Sequence, residues 1–210
     1  MKIYNFLREI AVVVIGVAIT LSASYWITNK NAERDVALYL SAIKMELEDN
    51  KRILEETNNK KIQVSINYTD YLESHDKKSL NLDSLIYYRD RTMIDFSPIM
   101  LKSNAFEMFK ISGFMRLVKD KELLLALWET YSFLVETKQA FDGQQQMKFE
   151  ELKKYLYLNS LPDEELLKDP PLYDFYANMQ IAYIQHGMFN YTLAYINAMI
   201  PIIDQAKEAK

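Results

Sequence analysis

The chain has 210 residues, half of them hydrophobic, and its 25 basic and 29 acidic side chains leave a net charge of -4. That is room for one domain of ordinary size with a normal core, and the interleaved charges leave no basic stripe for nucleic acid. The absence of cysteine excludes disulfides, thiolate metal sites and Cys nucleophiles, and 4 Gly with 5 Pro are too few for a turn-rich β fold.

Residues 1–9 read as a short tail. Residues 10–27 carry no charge; as a helix they reach about 27 Å, enough for a hydrocarbon core. Tyr25 and Trp26 close the run where an aromatic belt belongs. The pattern predicts a retained transmembrane helix. A cleaved signal peptide is the competing reading, because Ser22, Ala23 and Ser24 offer a cleavage site after Ser24. Glu9 in the positive region and the bulky pair after the site favour the anchor. Gly16, Thr20 and Ser24, with Ala23 beside them, fall on one helical stripe, and Glu9 lies at its end. Small side chains let membrane helices approach closely, and a rim Glu can accept a hydrogen bond, so a helix contact is expected there. Lys2, Arg8 and the terminal amine precede the segment; Lys30 and Arg34 follow it. The small bias puts the C-terminal domain outside the cytoplasm.

A bundle domain is expected over 28–203. Val36, Leu40, Ile43, Leu47, Asn50 and Leu54 alternate spacings of four and three, the seam of a long bundle helix. With no Gly or Pro in the way, one stalk helix is expected over 30–72. The polar run 74–84 reads as a loop, and a short helix after it stops at Pro98. Ser103 or Asn104 is placed to cap a helix over 105–112, with Gly113 as its left-handed end. Asp120 is placed to cap a helix bearing Leu123, Leu127, Trp128, Tyr131 and Leu134. Gly143 and the glutamines after it predict a weak interruption, and 160–171 a connector. The short run 61–66 is the one strand-like stretch, embedded in helical context.

The last helix is expected over 175–203, a span without Asp, Glu, Lys or Arg. Asn178, Gln185 and Thr192 lie seven apart on one side, with His186, Asn190 and Asn197 beside them. Such an uncharged polar face suits either pairing inside a bundle or contact with a protein or small polar ligand. Pro201 is expected to kink or end the helix, and 204–210 to be a solvated polar tail.

Chemistry is sparse. The two histidines, His75 and His186, fit no metal-ligand spacing, and the adjacent acidic pairs diverge around a helix. No phosphate loop, nucleophile elbow or dinucleotide fingerprint occurs. No catalytic, cofactor or metal residue is assigned, and the chain is not expected to be an enzyme.

Two stretches carry a resemblance. Glu9-Ile10, Gly16, Trp26, Arg34, Tyr39-Leu40 and Glu48, then Phe106-Glu107, Ser112-Gly113, Leu123 and Tyr131, resemble an uncharacterised family of small bacterial membrane proteins known only as a domain of unknown function. Arg8 stands where that family usually has Gly, and 22–24 where amides are usual. The resemblance implies a single-pass anchor in the bacterial inner membrane and a helical domain, and carries over no activity. The expectation is therefore an all-α protein: an N-terminal transmembrane helix, a stalk and an antiparallel helical bundle on the periplasmic side. Its expected role is non-enzymatic, an accessory or scaffold subunit with a protein partner or a second copy. The alternatives are a ligand-sensing domain acting through a partner, and a membrane-bound hydrolase built on carboxylates.

Overall fold

The computed structural model describes residues 2–88, 91–92, 96–156 and 181–208; within the first 30 residues it describes the side chains of 15, 18–22 and 30. All regular structure among these residues is helical, and the helices form a bundle. α1 (Lys2–Thr57) runs unbroken into a π turn (Asn58–Ile62) and then α2 (Gln63–Glu73). The expected stalk over 30–72 is thus two α-helices joined by one wide turn. The reason is in the spacing. Buried Leu54, Asn58, Ile62 and Ile66 lie four apart three times over, and in a 3.6-residue helix each step of four drifts about 40° off the seam. The wider π turn absorbs that drift and keeps the four residues on one face. The strand-like run 61–66 is helical here.

α3 (Leu82–Tyr88) folds back on α2 through a small core of Tyr68, Leu72, Leu80 and Leu85. α4 (Asn104–Ile111) and a 3-10 turn (Phe114–Leu117) follow, joined by Gly113 at φ 75°, a left-handed end that favours glycine. α5 (Lys121–Leu156) begins at Asp120, whose Oδ1 accepts the backbone N–H groups of Glu122 and Leu123 at 2.9 and 3.0 Å. It passes straight through Gly143, so the interruption expected there is absent: surrounding helix formers outweigh a local cost of about 1 kcal/mol. α6 (Ile181–Glu208) contains Pro201 and continues beyond it. The end that was expected to be a solvated tail is helix up to Glu208, held by Ile203 in the core and by Lys44 Nζ on Asp204 Oδ2 at 2.5 Å. The connector expected over 160–171 lies outside the described residues.

α6 is the central helix. It pairs with α1 through Lys44–Asp204 and Asn58–Asn190, and with α5 through Thr137–Thr192 and Phe141–Phe189. Rising numbers on one partner meet falling numbers on the other, so α6 is antiparallel to both. The α1 seam is wholly buried: Ile43, Leu47, Asn50 and Leu54 are each 0% exposed. Each fully buried aliphatic side chain here contributes about 1.5–3 kcal/mol.

Among the described residues no helix is long and apolar enough to cross a membrane. The expected span at 10–27 lies on α1, but most of its side chains fall outside the described set, so the transmembrane reading gains no support from the fold.

The short α4 is tied to the core by a buried acid. Glu46 on α1, 7% exposed, accepts the N–H of Ala105 on Oε2 at 2.8 Å and that of Phe106 on Oε1 at 3.4 Å. The Tyr131 hydroxyl of α5 donates to the same Oε1 at 2.6 Å. Ser103 occupies the expected N-cap position but makes no side-chain cap; the distant carboxylate caps the helix instead. Burial, then the hydrogen bond to Glu46 and its charge, push the Tyr131 phenol far above its ordinary range. A folded-state value raised in this way stabilises the fold below the unfolded phenol value near 10, and the contribution is lost as pH rises above it. Above about pH 10, unfolding stability is expected to fall with a slope approaching 1.4 kcal/mol per pH unit from this group. Denaturant titrations of Tyr131→Phe and wild type across that range check it: the difference between the two curves should carry the slope.

Candidate functional site

The uncharged side of α6 is divided by the fold. Ala182, Gln185, Phe189, Thr192, Ile196, Met199 and Ile203 alternate spacings of three and four and are all buried. Gln185 and Thr192 therefore face inward and are closed to any partner. Thr192 shares a 2.7 Å hydrogen bond with Thr137 of α5. Gln185 is 5% exposed, and its Nε2 has no hydrogen-bond partner among the described residues. Asn197 is exposed. Asn178 lies outside the described residues.

His186 and Asn190 join Asn58 in a closed ring. The Asn58 Nδ2 donates to Asn190 Oδ1 at 3.1 Å. Asn58 Oδ1, an acceptor, lies 2.9 Å from His186 Nδ1, so that nitrogen carries the proton. His186 Nε2 then accepts from Asn190 Nδ2 at 2.9 Å. Each of the three groups donates once and accepts once, which only the neutral imidazole allows. Asn58 opens the π turn, so the wide turn that keeps the α1 seam in register also carries the ring's anchor. This polar cluster is a lock between α1 and α6, and the bundle uses most of the face once expected to serve a partner.

Other predicted residues are spread out. Glu9, Gly16, Ala23 and Ser24 sit on the α1 backbone, with side chains outside the described set; Thr20 is exposed. His75 is exposed, its Nδ1 2.9 Å from both Ser74 Oγ and the Tyr71 carbonyl oxygen. No group of His, Asp and Glu that could hold a metal ion occurs among the described residues.

A different surface is left open. On α5, Leu125, Trp128 and Val135 are 64%, 47% and 49% exposed. With exposed Ser132 they are spaced three, four and three, a second seam on a helix whose first seam is already in the core. Trp128 meets Phe106 of α4 edge to face, ring centres 5.5 Å apart, and Phe106 stacks on Tyr131 at 4.2 Å. Lys110 Nζ stands over the Trp128 ring at 4.7 Å. Between α4 and α5, Phe106, Lys110, Trp128, Ser132 and Val135 line an open groove of about 290 Å³, with Glu107 and Glu136 also on it. By sequence pattern Trp128 groups with the core residues around it. The signal that separates it is the overlap of two seams: Leu123, Leu127 and Leu134 follow one, while Leu125, Trp128 and Val135 follow the other.

The unpaired amide of Gln185 gives a test of what that residue is for. Burying an unsatisfied amide costs about 1–3 kcal/mol. Gln185→Leu is therefore expected to raise stability by about 1–2 kcal/mol in a denaturant titration; a loss of that size would mean that the amide is paired in the folded protein.

No protein-family model, no curated protein and no solved structure matches the chain.

Proposed function

We propose that this chain is a membrane-anchored, non-catalytic helical interaction module, an accessory or scaffold subunit of a membrane protein complex. The observation that carries the reading is the α5 ridge: Leu125, Trp128 and Val135 stand exposed at helical-seam spacing, with Trp128 and Val135 on the α4–α5 groove. A monomer scatters single exposed apolar residues, but an aromatic ridge beside a groove is typical of a contact surface. Its three-and-four spacing suits an amphipathic helix of the partner.

The anchor is the uncharged segment 10–27. α1 passes through it without a break and continues into the core, so the segment and the bundle share one rod. Ile15, Ile19 and Leu21 on it are 57%, 64% and 64% exposed, uncovered by the described part of the bundle. Water is a poor environment for such a helix and lipid a good one. The reading places the bundle on the periplasmic side of a bacterial inner membrane, with the stripe of Glu9, Gly16, Thr20, Ala23 and Ser24 as a second contact within the bilayer.

The test is purification of the tagged full-length chain from membranes in mild detergent, with identification and stoichiometry of what accompanies it. Leu125→Glu and Trp128→Ala should each lower partner yield; a central aromatic contact is worth about 2 kcal/mol or more, close to thirtyfold in affinity. Melting temperature should hold in Leu125→Glu, a surface change of about 0.5 kcal/mol, whereas Trp128→Ala also gives up the Phe106 contact and should lose about 0.5–1.5 kcal/mol of stability. Unchanged partner yield in both variants would remove the ridge from the interface.

A further inference from the structure

The open ridge on α5 has a charged neighbour along its length. Glu122, Glu129 and Glu136 are exposed and recur every seven residues, a row beside Leu125, Trp128, Ser132 and Val135 on the same helix. At 3.6 residues per turn the row lies about 80° round the helix from the ridge. Tyr131, which stacks on Phe106 of α4, lies on the opposite flank, so the row borders the side away from α4. Glu136 also reaches the end of the α4–α5 groove. None of the three carboxylates has an ion pair among the described residues. The nearby cations are engaged elsewhere. Lys110 Nζ is 2.7 Å from Glu107 Oε1, Lys121 Nζ donates to the Val118 carbonyl oxygen at 3.0 Å, and Lys138 pairs with Asp142.

Beyond the row lies a second apolar bank. Phe133 of α5 meets Tyr195 and Tyr191 of α6 with ring centres 4.4 and 4.9 Å apart, and the two tyrosines are 5.0 Å from each other. Tyr191 is 53% exposed. The hydrogen bond with Tyr191 is the main cause that raises the Tyr195 phenol, and the negative charge of Glu129 is a further one. Unpaired carboxylates between two apolar banks suit lysine and arginine side chains, which lay their stems on apolar surface and carry a charged head to the acid. An arginine can also rest on an aromatic face.

Charge narrows the occupant. An anionic membrane surface or a nucleic acid is repelled by the row. A second copy seated antiparallel on the ridge sets its own acidic row against this one, like charge on like. We propose that the α5 ridge and its acidic row dock an amphipathic helix of another protein, whose apolar seam is flanked by lysine or arginine. The inference rests on the contact-surface reading given above and deepens it by naming the chemistry of the partner.

Two synthetic helical peptides with the same leucine seam test it, one carrying lysine and the other glutamate beside that seam. Their binding to the full-length chain in uncharged detergent is read by the fluorescence anisotropy of a label on each peptide, with detergent alone as the blank. At low salt the lysine peptide is expected to bind about tenfold more tightly than the glutamate peptide, and the gap should shrink as salt is raised. Glu129→Gln/Glu136→Gln should weaken the lysine peptide about fivefold, the loss of two exposed ion pairs. Glu73→Gln/Asp83→Asn, the same change of net charge on exposed positions of α2 and α3, should leave it unchanged. Equal affinities for the two peptides, or a loss in Glu129→Gln/Glu136→Gln no greater than in that control pair, overturns the basic partner. If Leu125→Glu still abolishes binding in that case, the contact-surface reading survives. Binding of the lysine peptide that Leu125→Glu leaves intact, or no binding of either peptide to wild type, refutes the ridge and the proposal with it. A dimer of the wild-type chain that Leu125→Glu dissolves makes the occupant a second copy and also overturns the proposal.

Discussion

The Glu46 carboxylate is the joint of this fold. It lies in the α1 seam among Ile43, Leu47 and Asn50, where an aliphatic residue would pack without difficulty. It instead receives two N–H groups from the start of α4 and the hydroxyl of Tyr131 from α5. A helix of eight residues is marginal by itself, and its first N–H groups need acceptors once buried. A carboxylate at the positive end of the helix dipole meets both needs. One turn along, Asn50 accepts the Lys102 N–H at 2.7 Å and donates to the Lys102 carbonyl oxygen at 2.8 Å. Two polar side chains on one helix thus fasten the chain from 102 to 106 to the bundle.

The surface that the proposed function uses depends on this joint. With α4 fixed, Phe106 is held between Tyr131 and Trp128, and Lys110 is brought over the indole. The exposed α5 ridge then stands on a rigid support. The opposite side of the bundle is closed by different means. Lys44–Asp204, the ring of Asn58, His186 and Asn190, and the hydrogen bond from Tyr183 to Asp70 run in order along the α1–α6–α2 boundary. Polar groups that pair across helices in this way set the register of α6, since apolar seams alone tolerate slippage by a turn.

The two ends of the bundle differ accordingly. The end at the π turn is tied by hydrogen bonds and carries α2 and α3 as a small separate core. The end where α1 leaves toward the apolar segment is more open, with a cavity between helices and one free cation on its rim among the described residues.

Periodicity by itself was enough to determine the helical class, the α1 seam down to Asn50, the Asp120 cap and the left-handed turn at Gly113, because each follows from spacing or from the conformational limits of one residue. The roles of polar residues were not legible in that way. Glu46 reads as one more acid on an amphipathic helix until α4 and Tyr131 arrive from 60 and 85 residues away. Gln185 and Thr192 read as a polar face beside His186 and Asn190 until α5 covers one side of that face and leaves Asn190 exposed. Trp128 belongs by composition with the core, but α4 covers only part of its ring and leaves it half in water. Local pattern states which side chains avoid water on one helix; which polar groups find partners, and which apolar ones stay uncovered, depends on the neighbouring helices that tertiary structure supplies.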